Sequence, residues 1–408
     1  MSHSKKTGKQ LRILQVFSRY RQFGGEEGSV YRISDVLNDE YDTGIFLAST
    51  EDLFSGGTVN KGIGILKSIH NWTVVSRLKR YQQLGSYNLW LVHNVFPAMS
   101  PAVYELAFQL GIPVIQYLHN YRLGCVNGFF LNHGEPCQRC IGGNFLPALQ
   151  TACWHDSHLQ SGLMGAITAR TRTLGLFQNV TRWIAISEAQ RQEHIRMGIP
   201  ADRISVIHHF LHPVEAPSPY PEQGDVIFVG RLSVEKGVAH LLRAWRIIQD
   251  CGRTLWIVGD GPEKAGLERL GDSLKLRNVK FTGFLKHNAM KEIWQRAACS
   301  IVPSIWKEPF GMVVLEAWGQ GRPVVAHSIG ALPELINEGK DGLLVSPDHP
   351  QEMAEAIASI LRSPRMGEAM GTIGHERLLR EFNSSEWIKK TQTVINGIEG
   401  SCDGQPCI

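Results

Sequence analysis

Long apolar runs are the clearest absence from this sequence of 408 residues. No stretch of about 18 uncharged apolar residues occurs, so we expect no membrane-spanning helix. The first ten residues, MSHSKKTGKQ, carry lysines without an apolar core of ~7–15 residues behind them, and we expect no secretory signal. Cysteines number only eight, which argues against a disulfide framework and favours a reducing compartment. We therefore expect a cytoplasmic protein.

Composition points to an ordinary globular chain. Hydrophobic residues make up 43%, charged residues 20%, and the formal net charge is +4. With so small an excess of positive charge, we expect no nucleic-acid partner. A chain of this length exceeds the usual size of one hydrophobic core, which predicts two domains of roughly 200 residues each.

Short apolar segments alternate with longer amphipathic ones along most of the chain, which predicts alternating strands and helices. The predicted strands of the first half are 11–17, 43–48, 88–93, 113–118, 182–187 and 203–208. Those of the second half are 225–230, 253–259, 278–283, 299–304, 322–327 and 341–346. Nearly continuous apolar strands separated by helices are typical of parallel sheets covered on both faces. The sequence therefore predicts an α/β protein with two doubly wound, Rossmann-like domains.

A proline-rich segment divides the chain. Residues 208–224 contain four prolines and no apolar periodicity, which indicates a linker. We expect, in order, a first domain, a linker, a second domain, and a terminal helix with its tail, at residues 1–213, 214–224, 225–384 and 385–408. Such sheets bind ligands at the carboxyl ends of their strands. A cleft between the facing domains is the predicted binding site.

In the second domain, FVGRLSVEKGVAHLL (228–242) reads as strand, glycine turn and helix. Arg231 and Lys236 lie in the turn, near the helix N-terminus, where two cations and free N–H groups favour an anion such as a diphosphate. The alternative is that Arg231 and Lys236 are two solvated surface charges.

A second glycine turn, IVGDGPEKAG (257–266), does not have the G-x-G-x-x-G spacing, and a loop that starts a helix explains it better than a dinucleotide site.

The segment EPFGMVVLE (308–316) places Glu308 just before a predicted helix and Glu316 inside it, among apolar residues. A carboxylate in a partly buried helix needs a partner, and the first amides of a helix can bind phosphate. A ligand with hydroxyls and phosphates, such as a nucleotide-sugar, would satisfy both. The alternative to a ligand site is that Glu308 only interacts favourably with the helix dipole and that Glu316 is an ordinary surface residue.

Three features of the first domain lie at predicted strand ends. Gly24 and Gly25 let backbone approach a ligand, although a plain tight turn also needs glycines. His119 follows a strand and points into the predicted cleft, although a lone histidine is often structural. Ser187 and Glu188 fit a helix N-cap and its first residue.

Together these segments resemble the retaining glycosyltransferases of family 4 (GT4), which have the GT-B fold. The matching pieces are the Gly24-Gly25 loop, HNYR with His119, ISE (186–188), GRLSVEKG (230–237), VGDGP (258–262) and EPFGMVVLE, which matches the family's E-x7-E motif. They cover most of the chain in the family's order.

The resemblance implies transfer of a sugar from a nucleoside-diphosphate donor with retention of configuration. Arg231 and Lys236 would neutralise the leaving diphosphate, Glu308 would contact the donor sugar, and Glu316 would bind the ribose hydroxyls. The amides that would bind the sugar and phosphates belong to Phe310, Gly311, Met312 and Val313. The family's proposed mechanism is same-face attack, in which the leaving phosphate oxygen takes the acceptor's proton.

In the first domain, the resemblance implies that His119 faces the donor sugar and that the Gly24-Gly25 loop approaches the diphosphate. Asn120 stands where this family often has Asp, so no role for a carboxylate follows there. The sequence contains no D-x-D, and we expect no metal at the diphosphate and no cofactor required for transfer.

The expected function is therefore an NDP-sugar-dependent, hexosyltransferase-like enzyme. We expect its acceptor to be a glycan or lipid-linked glycan, in bacterial surface polysaccharide biosynthesis. A non-catalytic protein that binds or senses nucleotide-sugars is one alternative, and an oxidoreductase, which rests only on the second glycine turn, is another.

Two segments fall outside this scheme. One segment contains four cysteines with a C-x2-C pair: Cys125, Cys137, Cys140 and Cys153. This spacing suits a structural zinc site that staples the predicted loop 120–156; reduced thiols or a redox-labile pair are the alternatives.

The other segment, residues 61–80, is a basic, amphipathic stretch. It could lie on an anionic membrane, at its inner face, or be an ordinary surface helix.

Overall fold

The computed structural model describes residues 11–19, 24–49, 70–96, 98–173 and 176–399. Its strands are β1 (Arg12–Arg19), β2 (Asp42–Ser49), β3 (Leu89–Asn94), β4 (Val114–Tyr117), β5 (Leu131–Asn132), β6 (Glu135–Pro136), β7 (Arg182–Ala185), β8 (Ile204–Val206), β9 (Asp225–Val229), β10 (Leu255–Val258), β11 (Val279–Gly283), β12 (Ala297–Val302), β13 (Val324–His327) and β14 (Gly342–Val345). All twelve strands expected from the sequence are confirmed. The antiparallel pair β5–β6, inside the cysteine-rich segment, was not predicted.

The described helices cover both faces of the sheets. They are α1 (Gly25–Glu40), α2 (Trp72–Gly85), α3 (Ala102–Gln109), α4 (Leu146–Gln150), α5 (His158–Thr173), α6 (Leu176–Asn179), α7 (Glu188–Arg196), α8 (Val238–Ile248), α9 (Lys264–Ser273), α10 (His287–Arg296), α11 (Met312–Gly319), α12 (Leu332–Leu335), α13 (Pro350–Arg362), α14 (Pro364–Glu381) and α15 (Ser384–Glu399). None of these helices is long and apolar enough to cross a bilayer.

The main strands form two six-stranded parallel sheets. The first has the order β2-β1-β3-β4-β7-β8 and the second the order β11-β10-β9-β12-β13-β14. Every residue of β3 and of β12 is buried, because helices cover both faces of a doubly wound sheet. This accounts for the continuous apolar strands in the sequence. The predicted fold, two Rossmann-like α/β domains, is confirmed.

The chain crosses between the sheets twice. Residues 207–224 contain no helix or strand, as the proline-rich composition led us to expect. At the other end, α15 returns to the first domain, where Trp387 Nε1 donates to the Tyr117 hydroxyl at 3.3 Å. The Trp387 ring also packs on Phe210, with 5.3 Å between centroids. The last helix therefore fastens the second domain to the first sheet, while the exact domain limits stay a prediction.

Candidate active site

Lys236 is positioned by a single 3-10 turn, Val234–Lys236, that ends at Gly237. Gly237 has φ +65°, and a Cβ there would lie 1.9 Å from the carbonyl oxygen of Pro303. Only glycine allows this left-handed conformation and close approach together. The turn is thereby pressed against the loop that follows β12, which brings Lys236 beside residues 304–308.

Glu308 is buried, with 6% of its surface exposed, and three side chains donate to its carboxylate. Lys236 Nζ donates to Oε1 at 3.1 Å and to Oε2 at 3.0 Å. Ser304 Oγ and Trp306 Nε1 each donate to Oε2 at 2.8 Å. The Lys236 ammonium also lies 5.3 Å from the centroid of the Trp306 ring. The pair is therefore held rigidly at the carboxyl edge of the second sheet.

Arg231 follows β9 at the same edge. Its side chain is exposed, and its guanidinium has no hydrogen-bond or ion-pair partner among the residues that the structure describes. An arginine left without an internal partner can bind an incoming anion without breaking an existing contact. Of the two predicted cations, Lys236 is thus fixed and Arg231 is available.

The second glycine turn has a structural explanation. A Cβ on Gly259 would lie 1.9 Å from the carbonyl oxygen of Gly230, and one on Gly261 would lie 2.2 Å from that of Leu232. Leu232 N also donates to Asp260 O at 2.9 Å. The glycines allow the two loops to pack together, and α9 begins directly afterwards. The interpretation as a helix-starting loop is confirmed.

The N-terminus of α11 lies open at this edge. Gly311, the residue before the helix, has φ +108°, and no side chain caps the first N–H groups. Phe310 is buried against the rings of His209 and Phe382. Met312 and Val313 are half-buried. Uncapped amides and the helix dipole make this end of α11 suited to an anion.

Glu316 lies farther along α11 and is half-buried. Burial raises the pKa of its carboxyl, and Arg32 of α1 in the first domain partly offsets that effect. Its carboxylate accepts no hydrogen bond within the described ranges. Glu308 and Glu316 therefore differ: Glu308 has donors on both carboxylate oxygens, whereas Glu316 has no described hydrogen-bond donor and only the charge of Arg32 to offset its burial.

Gly24 and Gly25 form the N-terminus of α1 in the first domain. Both are exposed, and a Cβ at either position would meet no described atom within 4 Å. Packing against the described residues therefore gives no reason for glycine at either position. An unobstructed helix N-terminus is what a bound phosphate needs.

His119 follows β4 and belongs to a stack of rings. Its Nε2 lies 3.1 Å from His93 Nδ1, and its ring packs on Tyr117 and His209, with centroids 5.1 and 5.8 Å away. Burial lowers the pKa of His119 to about 3 and holds the pKa of His93 and of His209 well below the usual range. The imidazole of His119 is therefore neutral at physiological pH.

Direct hydrogen bonds close the cleft on one side. Ser187 caps α7 as predicted, since its Oγ accepts from Gln190 N at 3.0 Å, and the same hydroxyl donates to Pro309 O at 2.7 Å. Glu334 of the second domain accepts from Glu188 N at 2.8 Å, at the start of the same helix. These contacts place the edge of the first sheet opposite residues 304–308, the loop that contains Glu308.

The cysteine-rich segment contacts the same site. Phe129 packs edge-on against Trp306, with 5.2 Å between centroids. The four thiols of Cys125, Cys137, Cys140 and Cys153 line one small cavity. Burial raises the pKa of Cys140 to about 11 and that of Cys153 to about 12, and neighbouring thiols add to both effects. Within the described ranges, however, no three His, Cys, Asp or Glu side chains stand in a metal-binding arrangement.

The structure thus gathers most of the predicted residues at two facing edges. Sequence reasoning missed two residues: Trp306, which holds Glu308, and Glu334, which closes the cleft. Glu334 carries no local signal, because its role depends on residues about 146 positions away, whereas Trp306 donates to Glu308 only two residues along the chain.

Comparisons with known proteins match both halves of the chain. The family model described as Glycosyltransferase Family 4 matches residues 23–214, and that described as Glycosyl transferases group 1 matches residues 223–363. An uncharacterized glycosyltransferase of Methanocaldococcus jannaschii is 31% identical over 196 residues, 44% of this chain and 50% of that protein. The lipopolysaccharide core biosynthesis glycosyltransferase LpsD of Rhizobium meliloti is 31% identical over 220 residues, 52% of this chain and 62% of that protein. The chain spans about half the length of the curated relatives it matches.

Solved structures share the whole fold. Sucrose-phosphate synthase from Thermosynechococcus elongatus has a TM-score of 0.70 at 19% identity, over 96% of this chain and 100% of that one. HepE from Anabaena, in complex with UDP-glucose, has a TM-score of 0.65 at 19% identity, with the same coverage. With both domains matched by family models and the fold shared along its length, the chain belongs to the family 4, group 1 glycosyltransferases and has their GT-B fold.

Proposed function

We propose that this protein transfers a sugar from a nucleoside-diphosphate donor to a hydroxyl acceptor, with retention of configuration. The observation that carries the proposal is the grouping of Lys236, Glu308 and the open end of α11 at one edge of the second sheet, with Arg231 on the same edge. Breaking a sugar–phosphate bond places negative charge on the diphosphate. Pre-set cations and free amides stabilise that charge without reorganising.

The first domain supplies the facing groups. The neutral imidazole of His119 can hydrogen-bond a sugar hydroxyl without adding a charge that would oppose a developing positive centre. Gly24 and Gly25 leave room for the diphosphate at the start of α1. The leaving phosphate oxygen would take the acceptor's proton, so that attack occurs on the face from which the diphosphate departs.

We further propose that the transfer needs no metal at the diphosphate. The sequence has no D-x-D, and Lys236 and Arg231 supply the positive charge instead. Glu316, on the same helix, would accept from the ribose hydroxyls. Its partial burial and lack of a hydrogen-bond donor among the described residues support this role.

Donor and acceptor classes are suggested by the relatives. HepE was solved with UDP-glucose, and LpsD acts in lipopolysaccharide core biosynthesis. We propose a nucleoside-diphosphate hexose as donor and a glycan or lipid-linked glycan of a bacterial surface polysaccharide as acceptor. A thermal-shift screen against UDP-, GDP- and ADP-sugars would identify the base, because a ligand of the native state raises Tm.

Contact with an anionic membrane stays a prediction. Residues 61–69 of the basic stretch lie outside the described residues, and residues 72–80 fall in α2. Trp72 at the start of α2 is 66% exposed, and Arg80 is exposed as well. An exposed tryptophan beside basic residues is typical of a helix at a lipid surface, and it supports a peripheral location.

The test of the proposed function is turnover of the donor. Arg231→Ala and Lys236→Ala should each lower donor hydrolysis and transfer at least 100-fold, since each removes a charge that stabilises the leaving group. Arg231→Ala is the cleaner variant, because the guanidinium has no described partner whose loss would disturb the fold. Lys340→Ala, an exposed lysine of the same domain, is the matched control.

The alternative is a protein that binds nucleotide-sugars without turnover. Wild-type protein that binds a donor but neither hydrolyses nor transfers it would favour the sensing role and contradict the proposal. Binding of a nicotinamide cofactor in place of any nucleotide-sugar would favour the oxidoreductase alternative.

A further inference from the structure

The two residues that flank Glu308 in sequence are both held by helix α7 of the first domain. Lys307 Nζ donates to Glu193 Oε1, although 114 positions separate the two residues in the chain. The carbonyl oxygen of Pro309 accepts from the Ser187 hydroxyl at 2.7 Å. Ser187 is the N-cap of α7, and Glu193 lies in its second turn. Glu308 therefore lies between two contacts that fasten its loop to the other domain.

The carboxylate of Glu193 is almost fully buried and has donors on both oxygens. Its side chain is 9% exposed, whereas that of Lys307 is 38% exposed. While Oε1 accepts from Lys307, Oε2 accepts from Arg196 Nη1 at 3.0 Å and from Gln138 Nε2 at 3.2 Å. Gln138 belongs to the cysteine-rich segment, so three segments distant in sequence meet on one carboxylate. With its acceptors occupied, Glu193 holds protein groups in place and does not need a ligand.

The second domain holds the Glu308 loop from the opposite side. Ala331 N donates to the carbonyl oxygen of Glu308 at 2.9 Å, and a Cβ on Gly330 would lie 2.4 Å from Glu308 N. Among the described residues, the ammonium of Lys307 forms an ion pair with Glu193 and with no other acid. The backbone at Glu308 is thus fixed by its own domain, and Lys307 provides the ionic contact with the first domain.

We propose that Glu193 is a positioning residue, which acts through Lys307 to hold Glu308 where the donor sugar binds. This inference rests on the proposed function and names a first-domain residue on which the donor-sugar site depends. A displacement of about 1 Å in a group that contacts the reacting substrate can lower the rate about 100-fold. The open end of α11 and Glu316 lie elsewhere in the second domain. Loss of Glu193 should therefore slow turnover without weakening the binding of the nucleotide.

The alternative is that Glu193 and Lys307 only stabilise the folded protein. An ion pair of this kind, with one partner partly exposed, often contributes little to stability. Its removal would then lower Tm and leave kcat unchanged at temperatures where the protein is fully folded. The rate of turnover by folded protein therefore separates the two roles.

The experiment is a double-mutant cycle on Glu193→Gln and Lys307→Met, each of which removes one charge and keeps most of the side chain. We measure kcat with whichever of the UDP-, GDP- or ADP-sugars wild-type protein turns over fastest, at a temperature below the Tm of every variant. Calorimetry gives the Kd of the corresponding nucleoside diphosphate. Arg196→Gln is the matched control, because it removes a cation from the same carboxylate and leaves the contact with Lys307 intact.

We expect each single change to lower kcat at least tenfold, while the Kd of the nucleoside diphosphate stays within threefold of wild type. The double variant should be no slower than the slower single variant, because both changes remove the same contact. Arg196→Gln should keep the wild-type kcat. If Glu193→Gln does not fold, Lys307→Met tests the same contact from its more exposed partner.

Four results would overturn the inference. A wild-type kcat in both single variants would leave the pair as a stabilising contact only. Losses that multiply in the double variant would show that the two residues act separately. An equal loss in Arg196→Gln would assign the effect to the charge of α7, and a Kd raised more than threefold would assign Glu193 to the nucleotide site. Wild-type protein that turns over no nucleotide-sugar would instead refute the proposed function and, with it, this inference.

Discussion

Lys236 donates to both carboxylate oxygens of Glu308, at 3.0 and 3.1 Å, although 72 residues separate them in sequence. The carboxylate side chain is 8% exposed and that of the lysine 27%. The ammonium is therefore held in one position before any ligand arrives. A cation fixed in this way stabilises a developing negative charge better than one on a free side chain.

This pair should be energetically coupled. Lys236→Met leaves Glu308 buried with Ser304 and Trp306 as its only described side-chain donors, so we expect a loss of about 2 kcal/mol in the free energy of unfolding, given that the lysine is partly exposed. In a Glu308→Gln background the same change should cost much less. Urea unfolding of the four proteins measures the coupling. Additive effects within about 0.5 kcal/mol would show that the ion pair contributes nothing.

Glu316→Ala should weaken nucleotide binding and leave stability nearly unchanged. Its carboxylate has no described hydrogen-bond donor to lose, whereas bound ribose hydroxyls would lose a charged acceptor. A hydrogen bond to a charged group contributes about 1.5–3 kcal/mol, so the Kd for UDP should rise at least tenfold. Calorimetry on this variant and on Glu376→Ala, an exposed control, decides the point. Equal affinity in wild type and Glu316→Ala would remove Glu316 from the ribose site.

Glu334 should stabilise the contact between the domains in a pH-dependent manner. Burial raises the pKa of Glu334, but hydrogen bonds from His208 and from the N–H groups of Glu188 and Ala189 outweigh burial, and the pKa is lowered. A carboxyl with a lowered folded-state pKa contributes stability above its unfolded value, about 4.3, and loses it as pH falls through the folded value.

The corresponding measurement is the free energy of unfolding of wild type and Glu334→Gln across pH. We expect a difference of about 1 kcal/mol at pH 7, the usual magnitude for a charge at a helix N-terminus, which shrinks below pH 4.3. Glu376→Gln, at an exposed glutamate of α14, is the control. A difference that does not change with pH would mean that the ionised carboxylate is not what stabilises the contact.

Zinc binding by the four cysteines stays a prediction, and we propose to test it directly. The thiols line one cavity, but no three described side chains form a ready site, so binding would require the loop to rearrange. Elemental analysis of protein purified without chelator should give near one zinc per chain. The double variant Cys137→Ser, Cys140→Ser should lose it, while Cys251→Ser, at an exposed cysteine, should keep it. Metal-free wild-type protein would contradict zinc binding and leave reduced thiols or a redox-labile pair as the explanation.

Much of the architecture was predictable because it depends on local patterns. Strands covered on both faces must be apolar throughout, and this signal located all twelve main strands. The Ser187 cap, the turn before α8 and the start of α11 follow from residues adjacent in sequence. The resemblance to GT4 enzymes rests on the same short segments, and the family models confirm it.

Other features depend on residues far apart in the chain. The pairing of Lys236 with Glu308 requires Gly237 to approach the Pro303 carbonyl, which no local pattern indicates. The return of α15 to Tyr117 depends on how the second domain lies on the first. The β5–β6 pair is too short for periodicity to reveal.

For this protein, the amino-acid sequence by itself determined the two sheets, the order of their strands along the chain and the residues at the strand ends, because apolar periodicity and turn chemistry act over a few residues. Only the tertiary structure decided which of those residues are neutralised and which are left with unused hydrogen-bonding capacity. Glu308 received three side-chain donors and Glu316 received none among the described residues, since burial and partners are set by packing between distant segments.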